Sequence, residues 1–192
     1  MDFTPLLASF GLVMLAELGD KTQLAVISLS SKRKSKSVFI GALLAFALVD
    51  GVSALAGGAI ATLVPALWVG IGAGAAFLLF GVYTIFFEKT EKPKVEDRSV
   101  AVASCFSLVA LMELGDKTQL AVVSLAAEYD SPLLVFVGVM LAFATLTGLG
   151  VTLGVAISRR VPLKYVRIGS GLLFILFGVL FIWSAVSGIQ LL

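Results

Sequence analysis

The sequence predicts an all-α integral membrane protein: six transmembrane helices arranged as two inverted-topology three-helix repeats. Three observations carry this expectation. The chain is 59% hydrophobic and only 14% charged, with a mean hydropathy of +1.09, against roughly 45–50% and about 25% in soluble domains. It repeats itself: the ten residues Glu17–Val26 return unchanged as Glu113–Val122, 96 positions later. Outside those copies, its basic residues gather in alternate loops.

The apolar runs Phe3–Leu29, Val38–Leu63, Ala66–Phe87, Val100–Ala127, Leu133–Ile157 and Leu163–Ile189 are each long enough to cross a bilayer as a helix. They do not alternate polar and apolar residues, which excludes a barrel. Ser30–Ser37, the Val64-Pro65 turn, Glu88–Arg98, Glu128–Pro132 and Ser158–Pro162 separate them. The start, Met1-Asp2-Phe3, lacks a basic n-region, so the first run is expected to stay as a span. The 192 residues accommodate these spans and short loops, with no room for a soluble domain of useful size. The most polar separator divides the chain into a first three-helix repeat at 1–90, a cytoplasmic linker at 91–98 and a second three-helix repeat at 99–192.

The repetition extends well past the ten-residue motif. Phe39–Phe86 aligns with Phe136–Trp183 at an offset of 97, with 22 of 48 pairs identical, among them Gly41/Gly138, Gly74/Gly171, Gly81/Gly178 and Pro65/Pro162. Matched glycines and prolines mark shared backbone geometry and close helix contacts. Three spans per repeat is an odd number, so the second repeat must enter from the opposite side. The basic residues Lys32, Arg33, Lys34, Lys36, Lys89, Lys92, Lys94, Arg98, Arg159, Arg160, Lys164 and Arg167 all flank loops 1–2, 3–4 and 5–6. By the positive-inside rule that side is the cytoplasm, and both termini face away from it. Inverted repeats are common among secondary transporters, with the site expected near the midplane where the repeats meet.

Each motif places two carboxylates and a lysine within an apolar run, at about 2.5–3.5 kcal/mol per charge on insertion scales. Glu17 and Asp20 share a helical face and Gln23 extends it; Glu113, Asp116 and Gln119 repeat the pattern. If the first and fourth spans cross, four carboxylates and two amide oxygens converge as an all-oxygen set suited to a hard or borderline dication. No His, Cys or Met lies in either motif, which argues against Cu(I) and Zn2+. Mn2+ and Ca2+ remain, with Mg2+ third because it sheds water reluctantly. Four carboxylates and two lysines sum to −2, which one dication neutralises, and protons compete for the same oxygens when metal is absent. Lys21 and Lys117 are candidates to pair with a carboxylate in the metal-free state or to reach toward an interface. Thr22 and Thr118 repeat as accessory candidates, although hydroxyls in membrane helices ordinarily bond back to the backbone. The first helix of each repeat is open to a break or kink at the motif, since Asp20-Lys21-Thr22-Gln23 also reads as a capping box behind Gly19. In that competing account Asp20 and Asp116 only cap helices.

Asp50 is different, because its counterpart is Thr147. A lone mid-span acid points to an accessory or proton-coupling role. Gly70-x-x-x-Gly74 and Gly150-x-x-x-Gly154 fit close helix packing, within the chain or between chains, so a homo-oligomer is compatible with the sequence but not indicated by it. There is no histidine for a Ser/His or Cys/His catalytic pair and no phosphate-binding loop. No enzymatic activity, cofactor or nucleic-acid partner is expected; the partners are a divalent metal ion, protons and the lipid bilayer.

At the two Glu-Leu-Gly-Asp-Lys-Thr copies the chain resembles the family of small membrane proteins defined by duplicated E-x-G-D-K/R-T/S signatures. That family groups with calcium/manganese cation–proton antiporters and includes bacterial manganese exporters and Golgi and chloroplast relatives. The resemblance covers the whole chain, and two copies at equivalent positions make it specific. It implies that Glu17, Asp20, Glu113 and Asp116 bind the cation, and it favours Mn2+ export from a bacterial-type inner membrane, with Ca2+ as a second substrate. Two other readings stay open at this point: a passive divalent-cation channel, for which acid rings are also natural, and a non-transporting membrane scaffold.

Overall fold

Many alanines and the five phenylalanines Phe46, Phe77, Phe143, Phe174 and Phe181 are buried in this chain, while many of its leucines face out. The structure, a computed structural model, describes residues 2–18, 20–32, 35–86, 102–158 and 163–187, without the side chains of 21, 28, 31, 32, 153–158, 163–167 and 170. The expected linker 91–98 lies outside the described residues, as do Gly19, Arg33, Lys34, Lys89, Lys92, Lys94, Arg98, Arg159, Arg160 and Pro162.

Eight helices form among the described residues: α1 (Thr4–Glu17), α2 (Lys21–Lys32), α3 (Ser35–Leu63), α4 (Ala66–Phe86), α5 (Val102–Glu113), α6 (Lys117–Glu128), α7 (Pro132–Ser158) and α8 (Leu163–Ser187). The first and fourth expected spans are each broken in two at the motif. Gly115 supplies the reason in the second copy, with φ +76, a left-handed conformation open chiefly to glycine. Asp116 follows in extended conformation, φ −79 and ψ 165, and α6 begins behind it. Both copies close the same turn, with the Asp20 N–H donating to the Glu17 carbonyl at 3.1 Å and that of Asp116 to Glu113 at 3.0 Å. The first loop is shorter than the sequence suggests, because α2 runs to Lys32 and α3 starts at Ser35. Exposed Ser35 and Lys36 open α3 as a solvated end turn. Pro65 and Pro132 open α4 and α7, where a missing N–H does no harm.

The broken helix of each repeat packs on the long helix of the other: α1 and α2 on α7, α5 and α6 on α3. Helices α3 and α7 meet directly, and there Phe46 stacks on its own counterpart Phe143 with ring centroids 3.6 Å apart and planes 13° from parallel. Helices α4 and α8 form the most extensive pair, running antiparallel. A Cβ at Gly81 would lie 2.7 Å from the Gly171 carbonyl oxygen, and one at Gly178 would lie 2.8 Å from that of Gly74. Bare glycine thus lets the two backbones touch. Phe77 meets its counterpart Phe174 at 5.5 Å in the same interface.

The outer surface is apolar. Leu55, Leu79, Leu111 and Leu133 are each at least 70% exposed, a distribution that fits a bilayer rather than water. Helices α3, α4 and residues Pro132–Thr152 of α7 are long and apolar enough to cross a membrane by length and composition. α1, α5 and the segment Gly171–Ser187 are apolar but shorter.

Candidate metal centre

The breaks bring the end of α1, the start of α2 and the start of α6 together. One carboxylate oxygen each from Glu17, Asp20 and Asp116 lies within 4.8 Å of the other two. Glu17 is 1% exposed, and both aspartates sit at helix starts, where the positive end of the helix dipole favours them. Lys117 enters this group from α6. Its Nζ stands 2.6 Å from Asp20 Oδ1, 3.5 Å from Asp116 Oδ2 and 3.9 Å from Glu17 Oε1, with the side chain 7% exposed. The Thr118 hydroxyl donates to Glu17 Oε1 across the repeat boundary instead of to its own backbone.

Glu113 stands apart from the triad. It is fully buried, and so are Asp50 and Thr22. Neither oxygen of Glu113, neither oxygen of Asp50 nor the Thr22 hydroxyl has a hydrogen-bond partner. Thr22 neighbours Glu113 as Thr118 neighbours Glu17, but without closing the bond, and Asp50 is a further acidic neighbour of Glu113. Thr147, the counterpart of Asp50, is likewise buried with an unpartnered hydroxyl.

The two glutamines take unlike positions. Gln119 Oε1 accepts the Gly115 N–H at 2.8 Å, reaching back over the helix start as a capping-box residue does. Gln23 donates through Nε2 to the Leu146 carbonyl on α7. The capping account of the aspartates holds only faintly. Asp20 Oδ2 receives the Thr22 N–H at a long 3.4 Å, and Asp116 makes no side-chain cap. The side chain of Lys21 lies outside the described residues. Gly150, which in sequence marks only close helix packing, also borders the site. A Cβ there would come within 2.8 Å of Gln23 Nε2, so its bareness makes room for that amide.

The family model for the divalent cation/proton antiporter GDT1 matches residues 5–92 and 101–189, one match for each copy of the motif. The chain belongs to the GDT1 family. Its relatives include the GDT1-like protein sll0615 of a Synechocystis species, 28% identical with 96% of this chain and 99% of that protein covered. GDT1-like protein 5 of Oryza sativa is 26% identical over 94% of each chain. The divalent cation/proton antiporter GDT1 of Saccharomyces cerevisiae is 23% identical, covering 93% of this chain and 83% of its own. No solved structure matches. The GDT1 family consists of membrane transporters that exchange a divalent cation for protons, not of enzymes.

Away from the motifs, a cavity of about 510 Å³ opens at the ends of α4, α6 and α8, lined among others by Asp2, Glu128, Tyr129 and Asp130. None of the motif residues reaches it. Burial holds the Glu128 carboxyl above its usual 4.5. Burial first, and then the charges of Glu128 and Asp2, push the Tyr129 phenol up. The Thr4 hydroxyl and N–H, donating to Asp2 Oδ1 at 2.6 and 2.9 Å, hold that carboxyl below its usual range.

Proposed function

We propose that this chain exports Mn2+ from the cytoplasm in exchange for protons, with Ca2+ as a second substrate. The site is shared by two inverted three-span repeats near the middle of a bacterial-type inner membrane. Both termini face away from the cytoplasm. The observation that carries this reading is the group of three carboxylates from both repeats, Glu17, Asp20 and Asp116, gathered within 4.8 Å at the crossing of two broken helices. Oxygen ligands from acids suit Mn2+ and Ca2+ over softer ions, and a broken helix is how many transporters present ligands inside a membrane.

Glu113 completes the acidic set from the second copy. Its buried, unpartnered carboxylate is available to a cation arriving in the site. Gln23 and Gln119 carry amide oxygens at the edge of the group, and Lys21, Lys117, Thr22 and Thr118 are accessory to it. Asp50, fully buried, unpartnered and without a counterpart carboxylate in the second repeat, takes the proton-coupling role. Proton and metal then compete for one oxygen-lined site, which is the physical basis of exchange.

The test is Mn2+ flux in sealed vesicles, with and without a pH gradient, for wild type, Glu17→Gln and Glu113→Gln. Flux driven by the gradient and lost in both variants is the expected result. Flux indifferent to the gradient identifies a passive channel. Undiminished flux in both variants overturns the shared site, and no flux even in the wild type leaves the scaffold reading.

A further inference from the structure

The candidate metal position already has a cation beside it. Lys117 places its ammonium against all three carboxylates of the triad, at 2.6, 3.5 and 3.9 Å, while only 7% exposed. Three acids drawn within 4.8 Å repel one another, and this ammonium holds them together. We propose that Lys117 is a tethered occupant of the cation seat, displaced by the transported ion, and that it sets the selectivity of the site for divalent over monovalent cations. This deepens the carboxylate-site reading above and rests on it.

With its three carboxylates ionised the triad carries −3, and Lys117 reduces it to −2. A sodium or potassium ion that displaced Lys117 would bring the same single charge, so the exchange gains no Coulomb energy. It would also compete against a group held by its own backbone, at a local concentration of millimolar or above. A dication brings twice the charge to the same oxygens, and its attraction to them doubles at equal distance. Lys117 therefore sets a threshold that a monovalent ion does not cross and a divalent ion does. The same ammonium weakens divalent binding in absolute terms, which favours release on the far side. The role depends on the fixed positive charge, not on proton transfer at the lysine. An arginine at this position keeps the charge and should keep the selectivity.

The experiment measures Mn2+ affinity in purified protein from the free-ion electron paramagnetic resonance signal. Titrations run in sodium buffer and in N-methylglucamine buffer of equal ionic strength. Wild type and Lys117→Arg should give one affinity in both buffers. Lys117→Gln should bind Mn2+ at least about fivefold more tightly in the sodium-free buffer, and sodium should reverse much of that gain. Equal or weaker binding by Lys117→Gln without sodium overturns the proposal. Glu17→Gln is the control for the site itself: unchanged binding there would sink the carboxylate reading, whereas lost binding there with an unresponsive Lys117→Gln sinks this proposal alone. If Lys117→Gln does not fold, amine acylation of the wild type decides. Saturating Mn2+, but not sodium, should speed modification of Lys117, and an unchanged rate would refute displacement.

Discussion

Two glutamates in identical sequence, Glu17 and Glu113, meet opposite surroundings. Glu17 accepts a hydrogen bond from Thr118 and lies in the field of Lys117. Glu113, equally buried, accepts none, and its neighbour Asp50 is a second buried acid without a partner. Ten identical residues therefore do not make ten identical environments. Among the described side chains one ammonium, that of Lys117, enters the group, and it stands beside Glu17. The other half is held ready, with buried oxygens that only a cation or proton can satisfy.

The comparison is best tested first where the two halves should agree. Phe46 and Phe143 share one stack, so Phe46→Ala and Phe143→Ala should each cost about 3–5 kcal/mol and lower the melting temperature equally. Unequal losses would show that the pseudo-symmetry fails in the core as well as in the site. Next, Glu17→Gln and Glu113→Gln should both lower Mn2+ flux by at least about a hundredfold, since even supporting residues around a metal are worth about 10–100-fold. Their melting temperatures should part, however. Glu17→Gln keeps an acceptor for Thr118 but removes the charge beside Lys117 and lowers stability, whereas Glu113→Gln relieves an unpartnered carboxylate and raises it. A common sign in metal-free protein would erase the distinction between the halves.

Smaller effects sharpen it further. Thr118→Val gives up a bond to a charged partner and should cost about 1.5–3 kcal/mol, while Thr22→Val, with no bond to lose, should be near neutral by the same melting assay. At the rim the repeats differ in sign: α2 ends on Lys32 and α6 on Glu128. Burial raises the folded-state pKa of Glu128. At low pH, below about 4.5, it is protonated in both folded and unfolded states and has no effect. As pH rises through the raised folded value, the folded state must carry a half-buried charge, so stability falls. Glu128→Gln should remove that fall, visible as a flatter profile of melting temperature between about pH 4 and pH 8. An unchanged profile would mean that Glu128 is well solvated when charged.

The broad outline was legible in the sequence because it depends on period and composition. Long apolar runs fixed the helices, and the Gly-Asp pair behind Glu113 pointed to a break that the φ of +76 at Gly115 explains. The family likewise follows from the duplicated motif, and the match at 5–92 and 101–189 supports it directly. What the sequence could not show is how equivalence is divided. Gln23 and Gln119 read as a symmetric ligand pair, yet one bonds α7 and the other its own helix start. Thr118 was expected to bond backward and instead reaches Glu17. Such choices belong to side-chain rotamers around a shared centre, where satisfying one copy changes what is left for the other.

Phe46 against Phe143, Phe77 against Phe174, and the paired glycines of α4 and α8 have one more consequence. Residues that face their own counterparts make an isologous contact, the kind by which two copies of one subunit form a closed dimer. A chain of half this length could pair with itself through these surfaces without evolving a new interface. In such a dimer every substitution appears twice, so an acid placed beside one glutamate is placed beside both. Fusion into one chain lifts that constraint, and Asp50 opposite Thr147 is the kind of one-sided change that it permits.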